Sequence, residues 1–285
     1  MTRAEPETVP ELPEVETVRA GLESVAIGQR VDRVEVTGRR TIRRQPIAEF
    51  VADLTGRTLY TARRRGKYLL VDLDDGAVLV IHLRMSGQLL VVEADEATVA
   101  HTHVRLGLSN GRELRFVDPR TFGELFVTDD LDERRVPKVL AALGADPIVD
   151  GFEPAELRGL LHGRKVALKA FLLDQHQVCG IGNIYADEIC FAAKLSPLRR
   201  TETLKNADVV RLAGAVGTVL RAAIAANGSS LKDARYRDLM GGLGNYQESH
   251  ATYDRAGLPC PICGRLIVRS KVVGRSTYFC PRCQR

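Results

Sequence analysis

Four cysteines near the C-terminus carry the most specific chemical signal in the sequence. Cys260-Pro-Ile-Cys263 and Cys280-Pro-Arg-Cys283 are two C-x-x-C pairs separated by sixteen residues. That spacing suits a zinc ribbon, in which four thiolates fill a tetrahedral site and leave no open position for catalysis. Cys179 and Cys190 lie outside the pattern and read as ordinary buried thiols. A second signal is Cys179-Gly180-Ile181-Gly182-Asn183-Ile184-Tyr185. Glycines just before a helix let backbone N–H groups approach an anion, although a tight interhelical turn with no ligand fits the same residues. A third is Pro10-Glu11-Leu12-Pro13-Glu14-Val15-Glu16, which composition alone makes a proline-started helix with acidic residues facing the positive end of its dipole.

The elements that must position these residues fall into two styles. Leu12, Val15, Val18, Leu22 and Val25 have helical spacing, so a first helix follows Pro10. From about 31 to 128 the pattern changes to short β-type runs such as VDRVEV, KYLLVDL, AVLVIHL, QLLVV, THVRLGL and LRFV. Turns such as Asp75-Gly76 and Asn110-Gly111 divide them, which predicts a β-sandwich. Residues 129–151 are charged and then rich in punctuation, and mark the passage to a second domain. EPAELRGLLH, ALKAFLLDQ, NIYADEICFAA and ADVVRLAGAVGTVLRAAIAA then read as four helices. Residues 228–250 read as one long polar loop, a kind usually functional or disordered.

A chain of 285 residues accommodates two domains, and the overall class is α+β. No apolar stretch is long enough to cross a membrane, and MTRAEPETVP lacks the apolar core of a secretory signal, so a cytoplasmic protein is expected. The net charge of +5 is distributed unevenly: residues 1–150 carry −4 and residues 151–285 carry +9. A basic second half suits a polyanion, because each neutralised phosphate releases counterions.

Several of these motifs occur together in one order. Pro10-Glu11-Leu12-Pro13-Glu14-Val15-Glu16 is followed by Lys67-Tyr68-Leu69-Leu70 and by His82-Leu83-Arg84-Met85-Ser86-Gly87. Asp118-Pro119-Arg120-Thr121-Phe122-Gly123, Gly182-Asn183-Ile184-Tyr185-Ala186 and the cysteine ribbon complete the series. From residue 10 to the end the chain resembles the formamidopyrimidine-DNA glycosylase family.

The resemblance implies a fold, a substrate class and a set of roles. It implies a leader at 1–9 absent from the active protein and a catalytic N-terminal helix plus β-sandwich domain at 10–138. A linker at 139–150 would lead to a helix–two-turn–helix domain at 151–257, with 228–250 as its lesion-recognition loop and a zinc ribbon at 258–285. The nucleophile would be the secondary amine of Pro10, with Glu11 as acid/base, Glu14 as a supporting carboxylate and Lys67 beside the damaged nucleotide. Met85, Arg120 and Phe122 would fill the gap left by an everted base. Asn183 and Arg275 would hold phosphates, and Lys169 would lie near the DNA. Cys260, Cys263, Cys280 and Cys283 would hold one structural zinc, with no catalytic metal or organic cofactor. The partner would be double-stranded DNA containing oxidised bases, met by a monomer associated with the bacterial nucleoid.

Two features depart from the family pattern. Gly244-Asn245-Tyr246-Gln247 and His250 replace the more usual end of the recognition loop. Nine residues also precede Pro10, and a peptide-bonded proline has no amine. The competing readings are therefore an endonuclease VIII-type enzyme for oxidised pyrimidines and a catalytically silent DNA-binding paralogue. A start at Val9, read as methionine when its codon initiates translation, would expose the Pro10 amine once that methionine is removed.

Overall fold

The structure is a computed structural model that describes residues 10–128, 138–231 and 236–285. The expected leader at 1–9, the start of the expected linker passage and part of the recognition loop lie outside the described residues. Two compact units emerge. Of the described residues, one holds 10–141 together with Ala226–Asn245; the other holds Ala142–Ala225 and Tyr246–Arg285.

The first unit opens with helix α1 (Leu12–Val25), followed by strand β1 (Val31–Val36) and helix α2 (Ile47–Leu54). Seven strands follow: β2 (Leu59–Arg65), β3 (Tyr68–Leu73), β4 (Val78–His82), β5 (Gln88–Glu93), β6 (Thr102–Leu108), β7 (Arg112–Val117) and β8 (Glu124–Thr128). A short helix α3 (Lys138–Ala141) ends this part of the chain. The strands form two antiparallel four-stranded sheets, ordered β1-β6-β7-β5 and β2-β3-β4-β8. Alternation decides which side chains meet. Leu89 and Val91 of β5, Val104 and Leu106 of β6, and Leu114 and Phe116 of β7 enter one core with Leu69, Val71, Leu79, Ile81 and Leu125. Val15, Val18 and Leu22, the apolar stripe of α1, join the same core.

Segment 226–245 belongs to this unit for a physical reason. Tyr236 and Leu239 are buried in the sandwich core, and the Val91 N–H donates to the Leu239 carbonyl at 2.8 Å. The stretch expected as one loop of the helical domain is thus divided, its first part packed with the sheets and its end, from Tyr246, with the helices.

The second unit contains α4 (Pro154–Leu161), α5 (Leu168–Leu173), α6 (Asn183–Ala192) and α7 (Asn206–Ala225), then a hairpin of β9 (Val268–Val272) and β10 (Arg275–Phe279). Leu157, Phe171, Ile184, Ile189, Leu212, Val216 and Leu220 are buried between the helices. Cys179 and Cys190 are fully buried, and burial pushes the Cys190 thiol far up. Among the described residues no helix is long and apolar enough to cross a membrane.

Candidate active site and nucleic-acid interface

The start of α1 is built around two carboxylates. Pro10, Glu11 and Glu14 are all buried. Glu14 accepts the Glu11 backbone N–H at 2.8 Å in a capping box, which satisfies a helix-terminal donor that would otherwise be orphaned. Its other carboxylate oxygen accepts the Ser229 N–H at 2.7 Å. Gly228, at φ +77°, allows this approach, since a Cβ there would stand 2.7 Å from the Glu14 carboxylate. Ser230 secures the rest of the segment by donating to the Tyr236 carbonyl and accepting the Gly244 N–H, both at 2.9 Å. Burial, then the neighbouring Glu14 charge, holds the Tyr236 phenol in its protonated form.

Lys67 occupies the two-residue turn between β2 and β3, beside Gly66 at φ +57°. The Arg64 side chain, buried along β2, ties that turn to α1. It donates to Glu16 at 2.9 Å and to the Gly66 carbonyl at 3.0 Å. The turn bearing Lys67 and the helix bearing Glu11 are therefore held by one arginine.

Met85 sits in the turn between β4 and β5; Arg120 and Phe122 sit in the loop between β7 and β8. One fully buried residue, Asp118, joins the two loops. Its carboxylate accepts the Ser86 hydroxyl at 2.5 Å, the Arg120 N–H at 3.2 Å and the Gly123 N–H at 2.7 Å. Gly87 and Gly123 flank the Phe116 ring so closely that a side chain at either would collide with it. The Met85 turn is further set by His82, whose Nδ1 accepts the Arg84 N–H at 2.9 Å. Burial first, then the Arg84 and Lys67 charges, lowers the His82 pKa well below its ordinary value, so the ring is neutral at pH 7. On this base Phe122 is 42% exposed, with the Arg120 guanidinium 4.8 Å above its ring. Met85 is half-buried.

In the second unit Asn183 is the first residue of α6 and follows Gly182, its N-cap. The Gln175 carboxamide clips the preceding turn, accepting the Gly180 N–H at 2.9 Å and donating to the Ile181 carbonyl at 2.7 Å. The Asn183 side-chain oxygen is buried without a hydrogen-bond partner among the described residues. Arg275 is exposed and opens β10, directly after the Val273-Gly274 turn, whose residues both have positive φ. Lys169 is fully buried. It forms a 2.8 Å ion pair with Asp187 and donates to the Ser276 carbonyl at 2.8 Å, while Asp187 accepts the Tyr278 N–H at 2.9 Å. Its reach is therefore to the backbone of the hairpin carrying Arg275.

The four cysteine sulfurs lie within 4.8 Å of one another, with Cys260–Cys283 at 3.9 Å and Cys263–Cys280 at 3.5 Å. A tetrahedral zinc with Zn–S bonds of about 2.3 Å requires S···S edges of about 3.8 Å. The donor set fits one structural zinc.

Known proteins are similar to this chain over nearly its whole length. Residues 9–125 match the formamidopyrimidine-DNA glycosylase N-terminal domain, 143–235 the formamidopyrimidine-DNA glycosylase H2TH domain, and 257–285 a zinc finger found in FPG and IleRS. The chain belongs to the formamidopyrimidine-DNA glycosylase family. A formamidopyrimidine-DNA glycosylase of Acaryochloris marina is 45% identical over 97% of this chain and 99% of its own length. The crystal structure of MutM (Fpg) from Thermus thermophilus is 42% identical, with a TM-score of 0.85 over 96% of this chain and 98% of that one. A mutant Lactococcus lactis Fpg, in complex with DNA containing Fapy-dG, is 34% identical with a TM-score of 0.87, covering 97% and 100%.

Membership does not by itself explain the positioning residues, and sequence reasoning missed several. Asp118 lay in view inside the Asp118-Pro119-Arg120 motif, where an Asp before proline signals a turn that its carboxylate can staple. Asp187 and Glu188, adjacent carboxylates in the apolar run NIYADEICFA, signalled buried pairing. Glu188 accepts the N–H groups of Ala251, Thr252 and Tyr253 at 2.8–2.9 Å and so fixes the approach to the ribbon.

Proposed function

We propose that this chain is a base-excision DNA glycosylase with AP-lyase activity, acting on oxidised purines in duplex DNA through the nitrogen of Pro10. The observation that carries the reading is the buried Pro10–Glu11 pair at the head of α1, with Glu14 bonded to both Glu11 and Ser229. A secondary amine there forms a bond to the sugar C1′ as the glycosidic bond breaks and the base departs with the bonding electrons. The nitrogen then gives up its proton; Glu11 protonates the ring oxygen, the C1′–O4′ bond breaks with its electrons going to that oxygen, and the nitrogen lone pair forms the C=N bond of a cationic iminium. The iminium acidifies the C2′ proton; its loss expels the 3′ phosphate, and a second elimination expels the 5′ phosphate. Lys67 supplies a cation beside the damaged nucleotide.

Eversion of the base costs a few kcal/mol of stacking, which Met85 and Phe122 offset by filling the gap. Arg120, planar and held over Phe122, suits the orphaned base. Asn183 and Arg275 grip phosphates; with its oxygen and nitrogen exchanged, the partnerless Asn183 amide atom becomes a donor suited to one. These backbone contacts position DNA without reading sequence, which suits an enzyme that scans all of it.

The chemistry requires Pro10 to be the first residue, and the family match begins at residue 9. The test is borohydride trapping on an 8-oxoguanine duplex, followed by mass mapping of the adduct and of the protein N-terminus. The expected product is a reduced amine at Pro10, in protein that starts there. An adduct at Lys67, or in protein that retains residues 1–9, overturns the assignment of the nucleophile.

A further inference from the structure

The turn between β1 and α2 contains four arginines, Arg39, Arg40, Arg43 and Arg44, and they divide into two pairs. Arg44 is directed inward: it donates to the buried Glu124 at 3.3 Å and lies 4.8 Å over the Phe126 ring. Arg43 links the turn to the wedge loop. Its guanidinium donates to the Thr121 carbonyl at 2.6 Å and to the Arg40 carbonyl at 2.7 Å. Thr121 stands between Arg120 and Phe122 and has a left-handed backbone, φ +54°.

The turn is stiff at its other end too. The Thr41 hydroxyl donates to the Gly38 carbonyl at 2.7 Å. The Thr37 and Gly38 N–H groups both donate to the His103 carbonyl, at 2.9 and 3.2 Å. The His103 ring in turn bonds the carbonyl of Asp118, the residue that staples the wedge loops. Gly38 lies against that ring so closely that a Cβ would overlap it. Arg39 and Arg40 are exposed, and among the described residues no carboxylate pairs with either. Two uncommitted guanidinium groups therefore stand on a rigid turn that is hydrogen-bonded to the wedge itself. One end of the turn is held to the wedge loop by the Arg43 side chain and the other, through His103, to the Asp118 carbonyl.

Resting on the function proposed above, we infer that Arg39 and Arg40 bind phosphates of the undamaged strand and hold it in register with Arg120. Arg120 is the side chain that meets the orphaned base, so the backbone beside Thr121 borders the strand carrying that base. Guanidinium suits this role because its planar fork matches phosphate oxygens.

The test compares Arg39→Ala/Arg40→Ala with Arg39→Lys/Arg40→Lys and the parent protein. Binding is measured against salt concentration on an undamaged duplex and on a single strand with one stabilised abasic site. Losing two duplex phosphate contacts should reduce the slope of log K against log salt by about 2. The expected result is that reduction on the duplex for the alanine variant, near-parental slopes for the lysine variant, and no change on the single strand. An unchanged duplex slope overturns the inference, and so does an equal reduction on both substrates. Neither outcome depends on trapping at Pro10, so failure of the proposed chemistry is read separately.

Discussion

The Glu14 carboxylate accepts the Ser229 N–H at 2.7 Å, joining residues 215 positions apart in the chain. Because its second oxygen holds the Glu11 N–H, the segment 228–231 and the N-terminal end of α1 share one side chain. Gly228→Ala tests this coupling. The new Cβ would press on Glu14, and a left-handed backbone costs an L-residue about 1–2 kcal/mol. Single-turnover excision should fall by about 10-fold or more, each factor of ten being about 1.4 kcal/mol in the barrier. Affinity for undamaged duplex should change little. A loss of affinity that matches the loss of rate would show the substitution had disturbed the fold at large.

Asp118→Ala should detach the Met85 turn from the Arg120–Phe122 loop. Three donors lose their acceptor, each at about 1–3 kcal/mol if left unsatisfied. On the proposed role of the wedge in eversion, excision from a paired duplex should slow far more than cleavage at a pre-formed abasic site. Met85→Ala and Phe122→Ala should show the same selectivity. Parallel kinetics on the two substrates would count against a wedge, and equal losses would place these residues in the chemical step.

How far the sequence alone reaches is visible in the elements it describes poorly. Strands with clean alternation, such as THVRLGL, were legible because alternate residues face one core. β2 was not: Arg63-Arg64-Arg65 interrupts its apolar pattern, and the buried Arg64 is satisfied by partners that include Glu16 and the Gly66 carbonyl. The eight-residue α2 was hidden among strands, with only Phe50 and Leu54 buried to mark a helical face. At the site, residue types and motif order pointed to Pro10, Glu11 and the cysteines. Burial of Lys169 was not legible, because its partners Asp187 and Ser276 come from α6 and from a hairpin more than 100 residues away.

Zinc removal should disable DNA binding without disturbing α1. The metal would order the ribbon from which β9 and β10 extend, and structural zinc contributes on the order of 10 kcal/mol or more of apparent binding energy. Purified protein should contain one zinc per chain, and Cys280→Ala should reduce both metal content and duplex affinity. Arg275→Ala should lower affinity for damaged and undamaged duplex alike, with a shallower salt dependence, while retaining the metal. Full duplex affinity in metal-free protein would detach the ribbon from the DNA interface.

The buried pair Lys169–Asp187 offers a test that separates charge from packing. Asp187 is held by burial well above the ordinary carboxylate range, to about 7, with the Lys169 ammonium opposing that shift. Asp187→Asn leaves the lysine charge buried without its counter-charge, a change that typically costs about 3–5 kcal/mol. It also disturbs the acceptor of the Tyr278 N–H, so β10 and Arg275 should shift and duplex affinity should fall with thermal stability. Replacing both partners by apolar residues, Lys169→Met/Asp187→Leu, removes the stranded charge and should recover most of the stability. It should recover less of the affinity, since the bond to the Ser276 carbonyl is lost as well. Thermal melts and binding measured on the same three proteins decide the matter. If Asp187→Asn melts like the parent, the ion pair does not hold the hairpin. If the double variant regains stability and affinity equally, Lys169 acts only through its charge pairing and not through its hold on β10.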